Sequence, residues 1–192
     1  MAFAALAVSA GAALTGACTA HTTTSSSSGT TSVGTGTTAP SASGRTCTAA
    51  DLTGAVAGTS GAAGTIEVTL TLRNTSSSPC LLEGYPGAQM LAASGAQLPT
   101  TVVRGGGYSF TAFAPGPVTL APGAVAYVNV GYSDVPSGGE TSCPASTQLL
   151  VTPPNAYDHL TVAAQLQPCA QGTLTVSPVF GSGSPDTQTT AP

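Results

Sequence analysis

The sequence predicts an all-β domain, an immunoglobulin-like β-sandwich stapled by two disulfides and preceded by a disordered N-terminal tether. Three observations lead there. Apolar residues between positions 47 and 180 recur at every second place. Gly- and Pro-rich turn clusters interrupt the chain every few residues. Four cysteines, an even number, lie behind a leader-like apolar segment.

The first element is that segment. Residues 2 to 17, "AFAALAVSAGAALTGA", are small or apolar throughout. A bilayer span needs roughly 20 residues, so this stretch is short for one. It is the right size for the apolar region of a secretory signal. Cys18 follows at once, after Ala17. The arrangement resembles a bacterial lipoprotein signal, in which a cysteine after a small residue receives lipid on its thiol. Thr15 stands three places before Cys18, where that pattern takes an aliphatic residue, and no Lys or Arg precedes the apolar run. An ordinary signal peptide with an incidental cysteine is the competing reading. The lipidated form anchors firmly because it carries more than one acyl chain.

Residues 18–46 are rich in Ser, Thr and Gly, with one Val and nothing larger and aliphatic. Such a stretch buries no core and is expected to stay disordered. As a flexible chain of about 28 residues its ends lie roughly 30 Å apart, enough to lift a domain off a membrane. His21, alone in this stretch, is expected to be solvated rather than a metal ligand. At the other end, residues 181–192 read as a second disordered tail.

Between the two lies the predicted sandwich, 47–180. In "TIEVTLTLRN", Ile66, Val68, Leu70 and Leu72 share one face, and Thr65, Glu67, Thr69, Thr71 and Arg73 the other. "AVAYVNVGY" sets Ala126, Val128 and Val130 against Tyr127 and Asn129. "QLLVT", "HLTVA" and "TLTVS" repeat the alternation around Leu149 and Val151, Leu160 and Val162, and Leu174 and Val176. "AAQLQP", 163 to 168, is too short for a helix. Turn chemistry separates these runs: "NTSSSP", "EGYPG", "LAPGA" and "TPPN" among others. Asn74 is suited to begin the turn out of its strand by bonding its own backbone, and Gly84 and Gly87 to take positive φ around Tyr85-Pro86.

Composition excludes several functions. Lys+Arg number 3 against 7 Asp+Glu, with a net charge of -4. The cations are Arg45, Arg73 and Arg104. No basic cluster exists to neutralise phosphates, so nucleic acid is not an expected partner. Electrostatic docking on anionic lipid is excluded for the same reason.

Cys47, Cys80, Cys143 and Cys169 read as disulfides. No pair has C-x-x-C spacing, and no histidine lies near them to activate a thiolate. Four cysteines allow three pairings. The expected one is Cys47–Cys169 with Cys80–Cys143, because in immunoglobulin-like sandwiches the first and last strands often run parallel and their starts meet. Each bridge would then stabilise by roughly 4 kcal/mol.

Titratable groups are thin on the ground. Asp158 and His159 are adjacent, but successive strand residues face opposite ways, so they should not pair and His159 should point outward. The acidic residues Asp51, Glu67, Glu83, Asp134, Glu140 and Asp158 are scattered. No D-x-D series suggests calcium, and Met90 with His159 is poor material for copper. No glycine run precedes a helix, so no phosphate cradle is expected. No metal and no cofactor are expected. The most suggestive stretch is "RGGGYSFTAFAPGP", 104 to 117, with Tyr108, Phe110 and Phe113 on a Gly/Pro-rich loop. It reads either as a recognition patch or as a hairpin arm whose rings fold back on the sandwich.

The ordered set Cys47, Asn74-Thr75, Cys80-Leu81, Gly84-Tyr85-Pro86-Gly87, Gly95, Leu120, Pro122-Gly123, Cys143, Pro153-Pro154 and Cys169 resembles a family of actinobacterial secreted proteins described as domain of unknown function 4232. A composition heavy in Ala, Gly, Pro and Thr fits a GC-rich source of that kind. The resemblance implies an envelope lipoprotein or secreted protein with one all-β domain, and it transfers no catalytic residues. The functional expectation is a non-enzymatic binding module on the outer face of the membrane, anchored through Cys18. Its partner would be an envelope protein, a polymer or a small molecule. The alternative is a small envelope enzyme, or a metal- or thiol-handling protein using His159 or free cysteines.

Overall fold

The computed structural model describes residues 44–105 and 112–181. Among the described residues, ten strands follow a 3-10 turn at Ala49–Asp51: β1 Leu52–Ala62, β2 Thr65–Asn74, β3 Cys80–Glu83, β4 Gly87–Leu91, β5 Thr101–Arg104, β6 Pro117–Leu120, β7 Val125–Ser133, β8 Ser146–Thr152, β9 Leu160–Leu166 and β10 Thr173–Val176. They form a five-stranded sheet in the order β1-β2-β7-β10-β5, a three-stranded sheet β4-β8-β9 and a pair β3-β6. One hydrophobic core draws on all three. The all-β sandwich expected from the alternation is therefore the fold observed.

The alternation becomes burial directly. Val68, Leu70 and Leu72 of β2 are 2%, 1% and 0% exposed, and they meet Val130, Val128 and Ala126 of β7 in register. The opposing layer supplies Leu82, Met90, Leu149, Val151 and Val162, all buried. Each large aliphatic side chain buried this way contributes about 1.5–3 kcal/mol. Close approach between the layers is possible because β1 carries Gly54. A Cβ there would lie 2.5 Å from Val162 Cγ2 of β9.

The turn after β2 is built on Asn74, which is wholly buried. Its Oδ1 accepts from the Ser76 backbone N–H at 2.9 Å, the turn-forming bond expected from the sequence, and from Ser76 Oγ at 2.7 Å. Its Nδ2 donates to Ser78 O and, across the fold, to Leu120 O, both at 2.9 Å. One side chain thus ties β2, the turn and β6 together. Gly84 takes the positive φ anticipated for it, 111°. Gly87 does not. It sits close to the neighbouring strand, where a Cβ would come within 3.2 Å of Thr152 Cβ.

Both bridges form, but the pairing differs from the expectation. The bonds are Cys47–Cys80 and Cys143–Cys169, closing segments with sequence separations of 33 and 26. The reason is strand direction. β10 pairs parallel with β5, not with β1. Through β2 and β7, each step antiparallel, β1 and β10 run in opposite senses. Their starts therefore lie at opposite ends of the sandwich. Cys47 binds back to β3, donating its N–H to Leu81 O, while Cys169 donates to Ser133 O at the far end of β7. Each bridge staples one end, and each stabilises by about 3.5–4 kcal/mol in the chain-entropy model. Such bonds form and persist in oxidising compartments, as in secreted proteins. Among the described residues, no helix is long and apolar enough to cross a membrane.

Candidate functional site

The residues singled out by sequence fall in different places. Cys18, Tyr108 and Phe110 lie outside the described residues. Phe113 folds back on the sandwich, edge-on to Phe180 at 5.6 Å between ring centres, and Phe180 stacks on Tyr127 at 5.8 Å. The Phe113 ring therefore packs on another ring of the domain. His159 is exposed, as anticipated. Asp158 turns away from it and accepts the Ala49 N–H at 2.9 Å.

The carboxylates with described bonds act on backbone. Asp51 accepts from Arg45 Nη1 at 2.6 Å and from the Thr48 N–H and hydroxyl at 2.8 Å each. Arg45 and the Thr48 groups together hold its carboxyl at about 2, against an ordinary 3.8. Glu140 receives the N–H groups of Ala170 and Gln171 at 2.7 Å each. Those bonds, the Gln171 one foremost, lower its pKa below the usual carboxylate value. The turn it clamps is unusual, with Ala170, Gln171 and Gly172 all left-handed at φ of 50°, 59° and 76°. Non-glycine residues in that region carry strain and persist only where surroundings enforce it. Here the enforcers are Glu140 and the neighbouring bridge. Glu140, Cys143 and Cys169 bring an oxygen and two sulfurs within 4.8 Å. Both sulfurs are bonded to each other and the carboxylate already accepts two N–H groups, so the cluster is a clamp rather than a ligand set.

Beside this clamp opens a cleft of about 500 Å³, lined by Tyr132, Ala145, Ser146, Thr147, Gln165, Leu166 and Gln167. Three strands place these groups. Tyr132 comes from the end of β7, on its core-facing side, and is 6% exposed. Ser146 opens β8 opposite Leu166 of β9. The ladder then slips: Ser146 pairs with Leu166 but Gln148 with Ala163, so Ala164 and Gln165 together oppose Thr147. Such a bulge bends the strand locally and re-aims side chains, a device common beside functional sites. Thr147, Gln165 and Gln167 are exposed. Ser146 is 4% exposed, and its Oγ has no hydrogen-bond partner. Burial raises the pKa of the Tyr132 phenol, partly opposed by the Gln167 backbone N–H and reinforced by Asp134. It therefore stays protonated at neutral pH. The lining sets hydroxyl and amide groups beside a comparable amount of apolar surface and carries no formal charge. It can exchange hydrogen bonds with an uncharged ligand and offers nothing to an ion.

Sequence reasoning passed over these residues. The usable signal was Gln-x-Gln in "AAQLQP": polar side chains alternating with Leu166 mark the outward face of a strand. A family model described as Domain of unknown function (DUF4232) matches residues 47–180. No curated protein and no solved structure matches the chain.

Proposed function

The chain belongs to the family described as Domain of unknown function (DUF4232), and from that footing we propose that it is a non-enzymatic binding module displayed on the outer face of the membrane through lipid on Cys18. One observation carries the reading: an uncharged, open cleft stands at one stapled end of the domain, while Asp51, Asp158 and Glu140 are all engaged in holding backbone. Acid–base catalysis requires a positioned titratable pair. The carboxylate beside His159 faces Ala49 instead. Thiol handling requires free cysteines, and the four of the domain are bridged. The partner class is an envelope protein, polymer or small molecule. The bridges support an address beyond the cytoplasm, and the apolar residues 2–17 ahead of Cys18 support the anchor.

Fractionation of the native host tests the anchor. The full chain is expected in the membrane fraction, accessible to protease added to whole cells, and Cys18→Ala is expected in the culture medium. A chain found in the cytoplasm would overturn the reading.

A further inference from the structure

Resting on that reading, we propose that the cleft between the start of β8 and the end of β9 binds an uncharged, hydroxyl-rich ligand of the neutral glycan class. The lining decides the class by elimination and by fit. An anionic ligand needs cations, and Lys+Arg number only 3 in the chain, none of them in the lining. A cationic ligand needs carboxylates, and none lines the cleft. Apolar surface from Tyr132, Ala145 and Leu166 alternates with the polar groups, which suits a ligand with C–H faces beside hydroxyls better than a wholly apolar one. What the cleft does present is the Thr147 hydroxyl and the Gln165 and Gln167 amides, each able both to donate and to accept. A sugar hydroxyl likewise donates and accepts at one atom.

Ser146 adds an independent observation. Among the described residues its Oγ alone is a buried side-chain polar atom without a hydrogen-bond partner. Buried polar groups are nearly always paired, and an exception invites a ligand or ordered water. Rotation about its single χ1 bond re-aims the hydroxyl, so a ligand hydroxyl seated at the bulge can become its partner. The bulge also argues against a peptide. An added strand needs regular ladder spacing, and the slip between Ser146 and Gln148 breaks it here.

The site is built before the ligand arrives. Its two walls, 145–147 and 165–167, run within two residues of Cys143 and Cys169, whose Cα atoms the bridge holds 4.6 Å apart. Glu140 fixes the turn that follows Cys169. Rigid walls reduce the ordering cost of binding.

The test is a two-dimensional amide NMR titration of the oxidised protein with maltotriose and with triacetylchitotriose, each neutral, at low and high salt. Saturable shifts at 145–147 and 165–167, unchanged by salt, are expected with at least one of them. Gln165→Ala and Gln167→Ala should each weaken binding about tenfold without moving the unfolding midpoint, since both side chains are exposed. Ser146→Ala should weaken binding yet stabilise the ligand-free domain, a split that a merely structural serine would not produce. No saturable shift with either sugar overturns the proposal, as does a response confined to a neutral Gly-Ser-Thr tripeptide or to a uronic-acid trimer. These outcomes leave the membrane-displayed module standing, because cell fractionation tests that independently.

Discussion

Replacing Asn74 by Ala removes four hydrogen bonds at once. Asn74 is fully buried, and its amide serves Ser78 O and Leu120 O while its carbonyl serves the backbone and side chain of Ser76. The bond to Leu120 O is buried and the other three are part-buried or shorter-range. Leaving a buried acceptor without its donor costs about 1–3 kcal/mol, and each ordinary bond about 1 kcal/mol. The sum is about 4–6 kcal/mol, a large part of the 5–15 kcal/mol typical of a domain. With no Trp in the chain, the assay is equilibrium urea unfolding followed by far-ultraviolet dichroism. At a slope of about 2 kcal/mol per molar urea the midpoint should fall by about 2–3 M. Asn74→Asp keeps the acceptor for Ser76 but turns an oxygen toward two carbonyls. It should lose a comparable amount at neutral pH and regain part of it on acidification, when the carboxyl can donate. A loss below about 1 kcal/mol for Asn74→Ala would refute the hub described here.

Three further outcomes follow from the same geometry. The folded pKa of Asp51, about 2, lies below its ordinary 3.8, so its contribution to stability is present above 3.8 and is lost as pH falls toward 2. Asp51→Asn should therefore flatten the stability profile across that window, as read by dichroism-monitored unfolding at several pH values. Gly172→Ala should destabilise by about 3 kcal/mol or more, because φ is 76° and a new Cβ would strike the Pro99 carbonyl oxygen; thermal unfolding of the variant measures it. Cys143→Ser with Cys169→Ser should cost about 3.5 kcal/mol and raise amide exchange first at 145–147 and 170–172, whereas the corresponding Cys47 and Cys80 double change should spare those residues.

Long strands with one buried face were legible in the sequence. β2 announces itself because Thr alternates with Val and Leu and the burial follows from Val68 to Leu72, and β7 through Ala126, Val128 and Val130, although Asn129 and Gly131 on its other face are buried as well. β1 is longer still but illegible beyond Leu52, since Gly, Ala, Ser and Thr carry little contrast and most of it is exposed. β3, β5 and β6 hold four residues each without the clean apolar–polar alternation that makes the equally short β10 legible. That four cysteines pair follows from their number. Which pair with which depends on the parallel placement of β10 beside β5, a long-range fact with no local signal. The cleft was missed for the same reason. Tyr132, Ser146 and Gln165 are separated in sequence and meet only through registration of β7, β8 and β9. A bulge such as that at Thr147 leaves no mark in composition. Phe113 was seen, but its meeting with Phe180 lies far along the chain.

Non-reducing mass analysis with thiol alkylation and peptide mapping, on protein purified from its native envelope, tests the tethered and stapled module most directly. The expected result is an N-terminal Cys18 carrying diacylglycerol, linked peptides for Cys47–Cys80 and Cys143–Cys169, and no alkylated thiol. A chain extending upstream of an unmodified Cys18, or free thiols at Cys143 and Cys169, would contradict it and return thiol or metal chemistry to that end of the domain.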